Sequence, residues 1–288
     1  MKKFAVIDIG SNSVRLMFVA DGKVLYKSLH TTRLGEGLAR SPRLLPAAIE
    51  RSAQAVALFY RQAINEGAER VFAFATAAVR TAENRTEFLQ RVKELCDLEI
   101  EVLSGEEEGE LGILGALGNQ DGCVIDVGGA STEIVVKSNG KILYKKSLDI
   151  GVVRLKDLYG RNKEALMVRA KAAVKEYGAL PPAHCIYGIG GTATTLAAQY
   201  LGLTVYDSKK ITGTEIPVLQ LKRLADKLSE MTVEEIAALP CMPQGRADVL
   251  SGGAVLLATL IEAFGFNGLV VSDRDNLEGY AIRRGLLS

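Results

Sequence analysis

The stretch IDIGSNSVRLMFVADGKVLYKS near the start of the chain returns in its middle as IDVGGASTEIVVKSNGKILYKK. Asp8, Gly10, Ser13, Gly22, Lys23, Leu25 and Tyr26 recur without a gap at Asp126, Gly128, Ser131, Gly140, Lys141, Leu143 and Tyr144, an offset of 118 that both 126 − 8 and 144 − 26 give. Any fold for this chain must carry the same acidic, glycine-rich hairpin twice. FAVIDIG and VRLMFVA are apolar, β-branched runs, and Asp21-Gly22 supplies the positive φ of a type I′ turn into KVLYKSL. The second copy repeats this with CVIDVGG, TEIVVKS and Asn139-Gly140.

Beyond the hairpins, helix-spaced apolar positions predict helices over 44–66, 84–96, 106–117, 156–176, 192–201 and 246–264, with two more across 217–239 and a closing one over 276–287. Strands are expected at 70–76, 99–103, 184–189 and 268–272, and each hairpin is expected to run on into LHTTRLG or KKSLDIGVV. Three strands, then helix, strand and helix, occurring twice, predict a duplicated α/β protein with mixed sheets. The expected division puts 1–121 plus 276–288 in one domain and 122–275 in the other, with the active site in the cleft between.

Composition narrows the function. With 288 residues the chain can bury two ordinary cores, and 48% hydrophobic against 24% charged residues is a globular balance. A net charge of +1 argues against bulk electrostatic binding of nucleic acid. No apolar run is long enough to span a bilayer, and the N-terminus leads straight into a strand. Cys96, Cys123, Cys185 and Cys241 lack C-x-x-C spacing and read as thiols of a reducing compartment, with cytoplasm the expectation. Two histidines, His30 and His184, make a His-rich zinc site or a Ser-His-Asp triad a poor fit, so carboxylates, backbone amides and arginines are the expected chemistry.

Each hairpin's first strand ends in Asp-x-Gly followed by small residues. Small residues let backbone N–H groups approach an anion, and Ser or Thr hydroxyls add donors. The strand-end aspartates offer hard oxygens suited to Mg²⁺. Two such hairpins facing each other predict a clamp on a phosphate chain. LSGEEEGELG reads by itself as a helix N-terminus, with Ser104 the cap and the acids complementing the dipole. ATAAVRTAEN offers Thr76 and Arg80 in a loop after a buried strand. Glu133 reads either as a solvated strand residue or as a partner for a metal near Asp126. Arg154, Lys209, Lys210 and Arg246 read equally as solvated surface or as the lining of a path for a phosphate chain.

IDIGSNSVRL and IDVGGASTE resemble the two phosphate segments of the acetate kinase/sugar kinase/Hsp70/actin superfamily, and more specifically those of the exopolyphosphatase/guanosine pentaphosphate phosphohydrolase family. FATAAVRTAEN, VLSGEEEG, SLDIGVVRL, YGIGGTATTLAA, RADVLSGGA and SDRDNLEG follow in family-like order across the whole chain. The resemblance implies duplicated actin-like (ribonuclease H-like) domains in the short two-domain form. It also implies hydrolytic release of terminal phosphate from polyphosphate with Mg²⁺ or Mn²⁺; the alternatives are guanosine pentaphosphate or nucleoside triphosphate hydrolysis, a sugar-kinase-like transfer, and a non-catalytic polyphosphate or nucleotide sensor. A homodimer is compatible with it. Glu108 becomes the implied general base, with Asp126 and Glu133 the other catalytic carboxylates. Asp126, Asp8 and Glu133 become the metal ligands, and Ser11, Asn12, Ser13, Arg15, Thr76, Arg80, Gly128, Gly129, Ala130, Ser131 and Thr132 the substrate contacts. YGIGGTATT resembles the superfamily's adenosine segment. Two positions depart from the family pattern. Ala130 replaces the third glycine of Gly-Gly-Gly-Ser, and Asp275-Asn276-Leu277-Glu278-Gly279 lacks the arginine of Gly-Leu-Arg-Glu-Gly.

Overall fold

The computed structural model describes residues 2–287. β1 (Lys3–Ile9), β2 (Ser13–Ala20) and β3 (Lys23–Thr31) form a meander, followed by α1 (Pro46–Asn65), β4 (Arg70–Ala75), α2 (Ala77–Thr81), α3 (Arg85–Cys96), β5 (Glu101–Val102) and α4 (Gly105–Leu117). The second half runs β6 (Gly122–Val127), β7 (Thr132–Ser138), β8 (Lys141–Leu148), α5 (Val152–Tyr159), α6 (Lys163–Tyr177), β9 (Ile186–Ile189), α7 (Gly190–Tyr200) and α8 (Ser208–Ile211). It closes with β10 (Glu215–Pro217), α9 (Val218–Glu230), α10 (Val233–Ala237), α11 (Ala247–Ala263), β11 (Gly268–Val271) and α12 (Asn276–Arg283).

Read from the hairpin edge, one sheet is ordered β3-β2-β1-β4-β5 and the other β8-β7-β6-β9-β11, with β10 added outside. Hairpin strands pair antiparallel, whereas β1 with β4 and β6 with β9 pair parallel. The duplication extends to the irregularities. Asp21 and Gly22 have φ of 48° and 73°, and Asn139 and Gly140 have 50° and 72°, so both turns take the left-handed pair that the sequence calls for. Both hairpins also shift register at the same place, between Phe18 and Val19 and between Val136 and Lys137. This is the predicted duplicated α/β architecture of two mixed sheets flanked by helices.

Several local expectations change. LHTTRLG is strand only to Thr31, and Val152 and Val153 begin α5 rather than extend β8. The helix expected over 156–176 is two helices: Gly160 (φ 58°) stops α5, and the Asn162 side chain accepts from the Ala165 N–H to start α6. Residues 77–81 are a helical turn, not loop.

One apolar cluster draws its buried residues from 5–98 and another from 123–271. Two smaller ones join the halves: Val6, Met17 and Phe74 pack with Leu111 of α4 and with Leu277 and Tyr280 of α12, while Ile113 and Leu117 of α4 pack on Val124, Val135 and Ile189. α4 therefore lies between the second sheet and α12. The two helices meet backbone to backbone: a Cβ on Gly115 would run into the Asp275 carbonyl, and one on Gly279 into the Leu111 carbonyl.

That contact leaves no room for a methyl group. Gly279→Ala is expected to destabilise the protein by about 1–3 kcal/mol, the usual cost of overpacking. Gly252→Ala in α11, whose added carbon would sit 3.6 Å from Leu166 in ordinary contact, should be neutral or gain up to about 1 kcal/mol of helix propensity. Melting temperatures of the two variants against the parent check the pair; equal melting would mean that the α4–α12 contact yields easily.

Candidate active site

Asp8 on β1 faces Arg15 on β2, and Asp126 on β6 faces Glu133 on β7. The offset of the repeat makes Arg15 and Glu133 equivalent positions. One hairpin thus pairs its aspartate with a cation and the other sets a second acid beside it. Arg15 donates to Asp8 from Nε (3.0 Å) and Nη2, and to Asp275 from Nη1. Expected as a phosphate contact, Arg15 lines the cleft but has its fork engaged by two carboxylates.

Asp126, Glu108 and Glu133 are all buried. Burial, then Glu108 and Asp275, push the Asp126 carboxyl up to about 7. Burial, then Glu108 and Asp126, raise Glu133 well above the carboxylate range. Glu133 accepts from the Ser147 hydroxyl at 2.7 Å, while its Oε2 and the Oδ1 of Asp8 are buried without a partner. Burial also raises Glu108, against the opposing pull of Arg80. Arg80 donates to Glu108 at 2.9 Å and to the Leu103 carbonyl at 3.0 Å. Arg80 does not line the cleft cavity. It orients Glu108 instead. The neighbouring acids do other work: Glu107 completes a capping box with Ser104, and Glu106 pairs with Lys145 at 2.8 Å.

The loops after β1 and β6 close on themselves alike, Gly10 N–H to the Ser13 carbonyl and Gly128 N–H to the Ser131 carbonyl, both 3.0 Å. They also touch, since a Cβ on Gly129 would lie 2.8 Å from the Ser11 Cβ. Among the described residues, the N–H groups of Ser11, Asn12, Gly129 and Ala130 have no backbone acceptor. These loops, with Ser13, Thr76, Gly128, Ser131, Asp8, Glu108 and Asp126, line a cavity of ≈ 270 Å³. Thr132 does not; its hydroxyl donates to the Ile150 carbonyl. Glu133 stands behind Asp126, outside the lining.

Of the four extra basic residues, only Arg246 lines the cavity. It lies against Gly191 at the start of α7, where burial and then Arg15 bring it down to about 10. Among the described residues no side-chain acceptor or ion-pair partner meets it, and its Nε is buried unpartnered. Arg154 donates to Thr81 at 3.3 Å, and Lys209 and Lys210 belong to α8 and line a neighbouring groove that shares Tyr206 with the cavity.

Sequence reasoning missed the segment before α12. Asp275 caps the helix and holds Arg15, and Asn276 donates to Asp126 at 3.3 Å. The signal was present as Asp-x-x-Glu, a capping box, but nothing local says that its carboxylate reaches β2, 260 residues away.

Paired hairpin loops, facing amides and buried acids in one cleft define a phosphate-handling protein of the actin-like architecture. The chain matches the model of the Ppx/GppA phosphatase family over residues 17–287, and it belongs to that family. It is 31% identical to Exopolyphosphatase 2 of Mycobacterium tuberculosis, over 98% of each chain. It is 30% identical to a guanosine-5'-triphosphate,3'-diphosphate pyrophosphatase of Aeromonas hydrophila, over 99% of this chain but 58% of that one. A crystal structure of the Aquifex aeolicus family member superposes with a TM-score of 0.81 and 32% identity, covering 99% and 98% of the two chains.

The buried acids have a consequence for stability. Asp126 keeps its proton to about pH 7 when folded but releases it near its ordinary 3.8 when unfolded. Between those values the folded state binds more protons, so stability falls as pH rises through the window and levels off above it. At about 1.4 kcal/mol per unit the loss is on the order of a few kcal/mol. Metal-free Asp126→Asn should therefore melt above the parent at pH 8, with the difference shrinking towards pH 4. Melting below the parent at pH 8 would contradict this.

Proposed function

We propose that this protein is an exopolyphosphatase-type hydrolase that removes the terminal phosphate from a linear phosphate chain, with inorganic polyphosphate as the substrate class. The observation that carries this is the meeting, in one cavity, of unengaged loop amides with a buried, arginine-oriented glutamate. Amides from both hairpins suit the oxygens of a phosphoryl group. Arg246, unpaired at the N-terminus of α7, supports a further anion position along the same cavity. Contact between the Gly129 and Ser11 loops closes the floor, so a chain presents its end there rather than its middle. Full-length similarity to an exopolyphosphatase favours polyphosphate; partial coverage of the pyrophosphatase relatives makes guanosine pentaphosphate the second substrate to test.

In this reading Glu108, as carboxylate, takes a proton from water as its oxygen bonds to the terminal phosphorus. The bridging P–O bond breaks, and the shortened chain leaves with the electron pair. Arg80 fixes the Glu108 carboxylate and opposes the upward pull of burial on it. Loop amides hold the equatorial oxygens as charge spreads over them.

A divalent cation belongs to the proposal. Among the described residues no three His, Cys, Asp or Glu side chains converge into a cage. Asp8 and Glu133 nonetheless each hold an unpartnered buried oxygen, and burial, then Glu108 and Asp275, raise Asp126 beside them. That donor set fits Mg²⁺, which keeps waters and takes one or two carboxylates plus substrate phosphates. Asp126 is the proposed ligand, with Asp8 and Glu133 steadying its waters; when bound, the ion offsets charge on the phosphate oxygens. The cytoplasm remains the proposed compartment, supported by four free thiols, and no helix of the described residues is long and apolar enough to cross a membrane.

The test is phosphate release from long polyphosphate, tripolyphosphate, guanosine pentaphosphate and ATP, side by side, for the parent and three variants. Glu108→Gln should lower turnover about a hundred- to ten-thousand-fold, the usual contribution of a positioned base. Glu107→Gln retains the capping box and Glu106→Gln removes only a surface ion pair, so both should stay near parental turnover. A dead Glu107→Gln, or an active Glu108→Gln, would reassign the base; release from none of the four compounds would remove the function.

A further inference from the structure

We propose that Asp275 is a positioning residue that holds Arg15 away from the phosphate chain, so that substrate must displace a carboxylate to reach this guanidinium. The inference rests on the phosphate-chain reading above and deepens it.

The cavity is lined by two arginines in opposite states. Arg246 has no acceptor, whereas every nitrogen of the Arg15 fork is met by a carboxylate oxygen, Nε and Nη2 by Asp8 and Nη1 by Asp275. Asp8 alone neutralises Arg15. A second buried acid leaves the trio net negative in a cleft for an anion, a costly arrangement unless the extra carboxylate has a role. Helix capping does not require that charge. Asp275 caps α12 through Oδ1, which accepts from the Leu277 N–H at 3.0 Å, and Asn or Ser caps as well. Oδ2 is the oxygen given to Arg15.

Its surroundings hold Asp275 in place. Glu278 accepts from the Asp275 N–H at 3.0 Å, and Lys27 reaches Glu278 at 2.7 Å and the Asp273 carbonyl at 2.8 Å. The whole 273–278 segment is thereby fastened to the β2–β3 hairpin. Burial raises the Asp275 carboxyl, but Arg15 and Lys27 outweigh it and keep the group below its usual value, hence charged. A phosphate oxygen offers Arg15 the same bidentate chemistry as a carboxylate. Asp275 therefore stands where a substrate oxygen would bind, and its removal frees one face of the fork.

A double-mutant cycle tests this by calorimetric titration of tripolyphosphate, with and without Mg²⁺, into the full-length parent, Asp275→Asn, Arg15→Gln and the double variant. Asp275→Asn should bind tripolyphosphate about tenfold more tightly than the parent. In the Arg15→Gln background the same change should give at most about twofold, because there is no guanidinium to release. Unchanged affinity of Asp275→Asn overturns the proposal and leaves Asp275 a cap. Equal tightening in both backgrounds also overturns it, since that is simple loss of repulsion; weaker binding only in Mg²⁺ overturns it in favour of cation ligation. Asp275→Ser, which retains a cap, repeats the arm should Asn melt early. Were none of the proteins to bind tripolyphosphate, the phosphate-chain reading itself would fall. Binding by the parent without a gain in Asp275→Asn refutes the latch alone.

Discussion

The cleft depends on which charge stands across the strand from each repeated aspartate. At an effective dielectric near 20, unit charges 4 Å apart interact by roughly 4 kcal/mol. Opposite Asp8 the interaction is attractive, because Arg15 is there; opposite Asp126 stands Glu133, where two ionised carboxylates would repel and both carboxyls are raised instead. The first hairpin is consequently an ion-paired wall and the second a strained acid pair whose carboxyls rise with burial. Twin backbones with divergent charge make one copy an ion-paired wall and leave the acids of the other, among the described residues, without a cation. An early duplication supplied the symmetry, and this exchange of one side chain uses it.

The scaffold carries that asymmetry across the molecule through two helices. α4 begins with Glu108 in its first turn, and α12 begins with Asp275 and Asn276, which touch Arg15 and Asp126. These helices are in backbone contact at Gly115 and Gly279, so the candidate base and the segment holding both hairpins move as one body. Glycine costs about 1 kcal/mol per helical position relative to Ala, and α4 carries four after its cap, at 105, 109, 112 and 115. Close approach to Ser147, Val135, Ile189 and Asp275 offsets that cost, which explains a helix whose local propensity is poor.

Most of the fold was legible because its signals are local and doubled. Asp-Gly and Asn-Gly fix the turns, alternating apolar runs fix the strands, and the offset alone predicts two sheets of like order. Periodicity failed where a stop lay inside it: residues 156–176 look like one helix until Gly160 and the Asn162 cap are weighed. The structure places the hairpin loops in the cleft as their small residues suggested, and Glu108 with them, a residue that the family resemblance singled out and its own motif did not. Partnership was not legible. Arg80 looks like a phosphate ligand until it is seen on Glu108, and Arg15 until Asp275 arrives from the far end of the chain. A motif gives the residue type required, whereas the pairing of charges is set by packing that no short window contains.

That pairing also explains how an acid-rich cavity can be a site for an anion. Asp8, Glu108, Asp126 and Asp275 line the cavity together with the hairpin loops, whose amides have no backbone acceptor, and with Arg246. In the proposed function the amides and Arg246 attract a phosphate chain, and the acids tolerate it as their charge is compensated, by the proton that burial leaves on Asp126 near pH 7 or by a cation in that proton's place. Ionised and alone, Asp126 would repel a phosphate oxygen; protonated it is neutral, and holding the proposed cation it would present positive charge to the phosphate oxygens.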